Sequence, residues 1–115
     1  MTSLMTSVID SGTASSAKAK LGRPAAGKTG TTNAHKDAWF VGYTPSVVTG
    51  VWFGLDDPAP IMARGFASTV AVPAWATFMK VATRGAKKEW YAMPSGIESI
   101  EMCRLSGRRA TPSCR

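Results

Sequence analysis

The sequence has few residues of the kinds that hold metal ions. It contains one histidine, His35, and two cysteines, Cys103 and Cys114, which cannot make an ordinary four-ligand zinc site. No run approaches the roughly 20 consecutive apolar residues that cross a bilayer, and no basic segment precedes an apolar one at the start, as it would in a signal peptide. We therefore expect a soluble domain, or a soluble piece of a larger protein, without a cofactor.

Acidic residues are also scarce, and they are unevenly distributed. The sequence contains seven Asp and Glu and 14 Lys and Arg, which gives a net charge of +7. Residues 61–115 hold nine of the basic residues but only three of the acidic ones. Such an excess can attract nucleic acid, an anionic membrane or polyanionic wall material, or it can be a solvated basic surface. No stripe of aromatic residues interleaves the charges, so we predict no nucleic-acid partner.

Apolar periodicity and turn residues predict an α+β fold, an antiparallel sheet flanked by helices. Gly12 is the predicted left-handed C-cap of the first helix, and residues 44–46 form the predicted tight turn of a hairpin. Residues 1–84 would form the folded part, and residues 85–115 a basic tail that contains both cysteines. The predicted elements are a helix over 1–11, a loop over 12–27 with room for a short edge strand, strands at 28–32, 38–43 and 47–55, and a helix over about 69–83.

The two cysteines lie close together in the sequence. If Cys103 and Cys114 were oxidised, they would close a short loop, and the chain-entropy model gives such a crosslink roughly 3 kcal/mol of stabilisation. A disulfide would indicate an oxidising compartment, whereas two thiols would indicate the cytosol. The sequence leaves both states open.

Residues 22–29 match the phosphate-binding pattern G-x-x-x-x-G-K-S/T letter for letter. In that motif, backbone N–H groups cradle phosphates, but the loop needs an apolar strand before it and a helix after it. Here residues 17–21 alternate Ala and Lys before a single Leu, and Gly30 is followed by Thr31, Thr32 and Asn33, which are poor helix formers. Nucleotide binding is therefore the less favoured of two interpretations.

The other interpretation starts from Lys28-Thr29-Gly30, which matches a signature of penicillin-binding proteins and class A β-lactamases. The surrounding sequence closely resembles the C-terminal part of the transpeptidase domain of class A, or bifunctional, penicillin-binding proteins. The resemblance covers nearly the whole chain, and the stretches that carry it are residues 23–33, 36–45, 51–57, 71–75, 78–79 and 103–107.

This resemblance implies the C-terminal portion of the penicillin-binding and serine β-lactamase-like fold. It implies a peptidoglycan D,D-transpeptidase that cross-links stem peptides through a serine acyl-enzyme and that β-lactams acylate. The partners would be the stem peptide, β-lactams and the rest of the transpeptidase domain, with the membrane reached only through an N-terminal anchor. The implied location is the bacterial periplasm, at the outer face of the inner membrane.

The resemblance also implies roles for residues 28–31. Lys28 would assist electrostatically, and the hydroxyls of Thr29 and Thr31 would hold the carboxylate of D-Ala or of a β-lactam. Gly30 would let an extended peptide approach the strand. The backbone N–H of Thr31 would supply half of the oxyanion hole, where one donor is worth roughly 2.7–4 kcal/mol in the transition state.

The other two signatures of the resembled family are missing. The segment Ser15-Ser16-Ala17-Lys18 matches the nucleophile pattern Ser-x-x-Lys, but it lies in a Gly-flanked segment only ten residues before Lys28, and we interpret it as a chance match. Ser-x-Asn is absent, because Asn33 is the only asparagine. We therefore expect a truncated, inactive chain; the alternative is a non-catalytic module that binds D-Ala-D-Ala carboxylates in the cell wall.

Overall fold

A three-stranded antiparallel meander forms the centre of the fold. The computed structural model describes residues 1–112 and 114. Its strands are β1 (Ala26–Thr31), β2 (Ala38–Tyr43) and β3 (Val48–Phe53), in the order β1-β2-β3. The Thr44 N–H donates to the Val47 carbonyl at 2.9 Å and closes the turn between β2 and β3, which confirms the predicted hairpin.

Three helices of the described chain flank the sheet. They are α1 (Thr2–Asp10), α2 (Ser16–Leu21) and α3 (Ala71–Ala82). The α3 helix packs across β2 and β3, α1 packs beside β1, and α2 contacts α3. Pro73 is the third residue of α3, where the missing N–H has no intrahelical acceptor to lose. The antiparallel sheet with flanking helices confirms the α+β prediction.

Two local predictions between α1 and β1 are wrong. Residues 16–21 form a helix instead of a loop, because Ala17 and Leu21 are buried and Gly22 ends the turn in the left-handed conformation at φ 65°. Gly12 is not a left-handed cap, since α1 ends at Asp10, Ser11 is its cap residue, and Gly12 does not have a positive φ. A Cβ atom at Gly12 would lie only 2.8 Å from the Val8 Cα, so the chain needs glycine there for a close approach.

The core lies between α3 and one face of the sheet. Trp75, Met79 and Val72 of α3 are fully buried, as is Phe40 of β2. The rings of Phe40 and Trp75 meet edge to face, with centroids 4.9 Å apart, a favourable geometry for two aromatic rings. This packing fixes α3 across the centre of the sheet.

The opposite face of the sheet is largely exposed. Register places Trp39 beside Trp52, with Val41 on the same face, and between 44% and 47% of each of these three residues is accessible. Val48, at the start of β3, is 71% accessible. Monomeric domains seldom leave large contiguous apolar patches exposed, so this face is suited to contact with another part of a larger protein.

In the described residues after α3, up to residue 112, there is little regular structure, but the first part of this segment packs against the rest. The ring of Trp90 stacks on Tyr43 at a centroid distance of 6.2 Å, and the Arg23 guanidinium donates to the Ala86 carbonyl at 3.3 Å. The radius of gyration is 17.0 Å, against about 13 Å for a compact 100-residue domain. The described chain is therefore elongated.

Candidate functional site

Strand β1 lies at one edge of the sheet and carries residues 28–31. The Thr32 N–H donates to the Asp37 carbonyl at 3.1 Å, which makes this a hydrogen-bonded pair of the ladder. Because such pairs alternate in antiparallel strands, the N–H and C=O groups of Thr31 and Thr29 point away from β2. The free side of β1 therefore presents backbone groups that another extended chain can pair with.

The side chain of Lys28 lies at this free side. It is exposed, and its Nζ donates to the Thr29 carbonyl at 2.9 Å, as expected if that carbonyl points away from β2. In the described part of the chain the only ion pair joins Lys18 to Asp10, at 2.8 Å. The Lys28 ammonium is thus positioned to attract an anion without first breaking an ion pair.

The two threonine hydroxyls of β1 lie on the α3 side of the sheet, because Thr29 is opposite the buried Phe40. The Oγ1 atoms of Thr29 and Thr13 are 3.0 Å apart. The Thr31 Oγ1 accepts a hydrogen bond from the Ala67 N–H at 3.1 Å. With this lone pair engaged, the hydroxyl hydrogen of Thr31 remains to be donated to an acceptor such as a carboxylate.

The turn between β1 and β2 is held by a side chain that the sequence analysis did not single out. The Thr32 Oγ1 accepts from the N–H groups of Lys36 and Asp37 at 3.1 and 3.0 Å. The Ile61 N–H donates to the His35 carbonyl at 2.9 Å, and this bond ties the turn to the loop that leads to Ala67. The Thr32 hydroxyl bonds four and five residues ahead, farther than the usual side-chain turn of Ser or Thr, so the sequence alone did not identify it. No sequence pattern marks Ala67 either.

The structure does not bring the Ser-x-x-Lys match together as a catalytic pair. Lys18 extends to Asp10, and Ser15 is an exposed residue at the start of the short α2 helix. Asn33 is likewise exposed, in the turn after β1. These placements support the interpretation of residues 15–18 as a chance match.

Residues 22–29 lack the architecture of a phosphate-binding loop. A helix, α2, precedes Gly22, and the strand β1 contains Lys28 and Thr29, which is the reverse of the required order of strand, loop and helix. In a strand, successive N–H groups point in opposite directions, so they cannot converge on one phosphate. The nucleotide-binding interpretation therefore has no structural basis.

The structure places Cys103 and Cys114 together, bonded through their sulfur atoms with Cα atoms 5.8 Å apart. Across residues 1–112 and 114, no group of three or more His, Cys, Asp or Glu side chains is arranged to hold a metal ion. Within the same residues, no helix has the length and apolarity needed to cross a membrane.

An antiparallel sheet packed on α3, with Lys-Thr-Gly on its edge strand, fits both penicillin-binding proteins and class A β-lactamases. The relatives described below show that this chain belongs to the penicillin-binding proteins. The chain is homologous to the C-terminal region of class A penicillin-binding protein 1A. A scan against models of protein families finds no match. The identification rests instead on individual relatives and on a solved structure.

Penicillin-binding protein 1A of Neisseria gonorrhoeae is 47% identical over 100 residues, which are 86% of this chain and 12% of that protein. The protein of the same name from Pseudomonas aeruginosa is 42% identical over 112 residues, 97% of this chain and 14% of that protein. The crystal structure of penicillin-binding protein 1A from Haemophilus influenzae superposes with a TM-score of 0.89 at 28% identity, covering 99% of this chain and 18% of that one. The chain thus spans a small part of the length of its relatives.

Proposed function

We propose that this chain supplies one wall of the active site of a peptidoglycan D,D-transpeptidase, an enzyme that cross-links stem peptides through a serine acyl-enzyme. The observation that carries the proposal is the free side of β1, where the backbone groups of Thr29 and Thr31 point away from β2 and the Lys28 ammonium reaches the Thr29 carbonyl. The homology to penicillin-binding protein 1A supports it. The enzyme would act in the periplasm, at the outer face of the inner membrane.

The substrate would lie along β1 as an added strand. An extended peptide pairs with the backbone of an exposed sheet edge, and Gly30 presents no side chain that would obstruct it. The ammonium of Lys28 and the hydroxyl of Thr31 would bind the terminal carboxylate of the stem peptide or of a β-lactam, since charge-assisted hydrogen bonds are the stronger kind. The hydroxyl of Thr29 would contribute a further donor.

Transition-state stabilisation would fall to the Thr31 N–H, which the ladder alternation directs away from β2. A backbone donor in that position binds the oxyanion of the tetrahedral intermediate and is worth roughly 2.7–4 kcal/mol. The Lys28 ammonium would add electrostatic stabilisation and take part in the proton network around the nucleophile.

The nucleophile itself would come from another part of the transpeptidase domain. The relatives are about seven to eight times as long as the matched segment, which covers 12–14% of them, and neither Ser-x-x-Lys nor Ser-x-Asn is represented here by residues in a catalytic arrangement. A chain that carries only this wall of the site could bind the stem peptide or a β-lactam, but it would lack the serine that is acylated. The chain by itself is therefore expected to be inactive.

Two measurements on the 115-residue chain test this proposal. Intact mass after incubation with benzylpenicillin should be unchanged, and an adduct on Ser15 would show that the chain carries its own nucleophile.

Amide chemical shifts should change at residues 28–31 on titration with a D-Ala-D-Ala peptide, and an ester-capped peptide that lacks the terminal carboxylate serves as the control. Equal shifts with both peptides would argue against carboxylate recognition by β1. Binding without acylation would also be the property of a non-catalytic cell-wall module, and adding the rest of the transpeptidase domain separates the two functions.

A further inference from the structure

The segment around Cys103 forms a small closed hairpin. The Cys103 N–H donates to the Arg108 carbonyl at 2.7 Å, and the Ala110 N–H donates to the Glu101 carbonyl at 2.8 Å. Met102 and Arg109 form an antiparallel bridge between the two arms. Gly107 takes a left-handed conformation at φ 67°, which a turn of this kind requires. Residues 101–110 are referred to below as the Cys103 hairpin.

The bond from Cys103 to Cys114 fastens this hairpin to the residues that follow it. The backbone N–H and carbonyl of Cys103 both make hydrogen bonds across the turn, and Cys103 is only 8% accessible. The Gly107 N–H also donates to the Cys103 carbonyl at 2.8 Å. The hairpin is thus ordered by three backbone hydrogen bonds and a covalent crosslink, so little conformational freedom remains to be lost when it binds a partner.

The tip of the hairpin combines an apolar residue with positive charge. Leu105 is 89% accessible, and the exposed residues Arg104, Arg108 and Arg109 surround it in sequence and across the turn. From residue 102 to the last residue of the sequence there are four arginines and no acidic residue. This surface joins three cationic groups to an apolar side chain at one small, rigid turn.

We propose that the Cys103 hairpin binds the surface of an anionic phospholipid bilayer, which would be a second membrane contact besides the N-terminal anchor that the family resemblance implies. Leu105 enters the boundary between headgroups and acyl chains, and the three guanidinium groups bind lipid phosphates, for which their planar fork of donors is suited. The exposed leucine favours a lipid surface over nucleic acid, because the hairpin offers no aromatic ring on which a base could stack. This contact involves none of the residues of the transpeptidase site and does not depend on the proposed function.

Partition of the whole 115-residue chain onto lipid vesicles tests the proposal. The chain should bind vesicles of phosphatidylcholine and phosphatidylglycerol in a 3:1 ratio and bind pure phosphatidylcholine vesicles much more weakly. Each basic residue near an anionic surface changes the partition coefficient about fivefold. The triple variant R104Q/R108Q/R109Q should therefore bind the anionic vesicles about 100-fold more weakly than the unaltered chain. Leu105→Ser should bind these vesicles about tenfold more weakly, because a partly inserted apolar side chain is removed.

The matched control is R84Q/K87Q/K88Q, which removes the same charge from exposed positions outside the hairpin. Its affinity for the anionic vesicles should fall far less than that of the hairpin variant. Equal losses in the two triple variants would overturn the proposal, because binding would then follow net charge alone. Binding to a DNA duplex without binding to the anionic vesicles, or no vesicle binding at all, would also overturn it.

A double variant, C103S/C114S, tests the role of the crosslink. It should bind the anionic vesicles several-fold more weakly than the unaltered chain, since the hairpin must then be ordered on the membrane. Unchanged binding would show that a preformed hairpin is not required and would contradict the proposal in this form.

Discussion

The indole ring of Trp75 lies directly against the backbone of Gly42. A Cβ atom at Gly42 would come within 2.6 Å of the Trp75 Cζ2, and the indole N–H donates to the Gly42 carbonyl at 3.3 Å. Phe40 lies on the same side, 2.7 Å from the same Cβ position. The helix α3 is therefore fitted to β2 at a point where only glycine leaves enough room.

Gly42→Ala should destabilise the chain by about 1–3 kcal/mol, because the added methyl group forces two buried rings to move. Urea unfolding monitored by tryptophan fluorescence measures this change. Gly50→Ala is the matched control in the neighbouring strand, where the new Cβ would lie 3.7 Å from the Val41 Cγ2 in ordinary contact. Similar losses in the two variants would contradict this account of position 42.

Thr31→Val should cost about 1–3 kcal/mol of unfolding free energy, because the Ala67 N–H, which belongs to a buried residue, loses its acceptor. Thr31→Ser keeps the hydroxyl and should cost clearly less. Hydrogen exchange at the Ala67 amide gives a direct check, with faster exchange expected in the valine variant only. If serine and valine behaved alike, the hydrogen bond would not be the cause.

Lys28→Gln should separate ligand binding from stability. Lys28 is exposed, so the free energy of unfolding should change by less than about 0.5 kcal/mol. The affinity for a D-Ala-D-Ala peptide should fall several-fold, because the charge that attracts the carboxylate is lost. Lys20→Gln, another exposed lysine, makes the same charge change outside β1 and should leave the affinity unaltered. A loss of equal size in both variants would assign the effect to net charge.

Val48→Lys should reduce self-association of the isolated chain. Strand β3 lies at the second edge of the sheet and contains no charged residue, and such an edge pairs readily with another chain unless a charge opposes it. Light scattering against protein concentration measures the effect. Val81→Lys is the control, since Val81 is also exposed, at 60%, but lies on α3. The interpretation fails if both lysines suppress scattering to the same degree.

Sequence reasoning located strand β2 at its observed bounds, because aromatic and β-branched residues lie between clear turn residues. It missed α2, whose six residues contain too few apolar side chains to show a helical period. The motif identified residues 28–31, but not the contact from Ala67 to Thr31. These residues are 36 positions apart, and a backbone N–H carries no signature in the sequence.

Within the described residues, each of the three strands pairs only with its neighbour in sequence, across short turns after Thr31 and Tyr43. Closing such short loops costs little chain entropy, and sheets made of local pairings form quickly compared with those that join distant segments. We expect β1 to gain its pairing with β2 early in folding, before α3 docks. The direction of the Thr31 N–H would then be set within residues 26–43, whatever the remainder of the chain does afterwards.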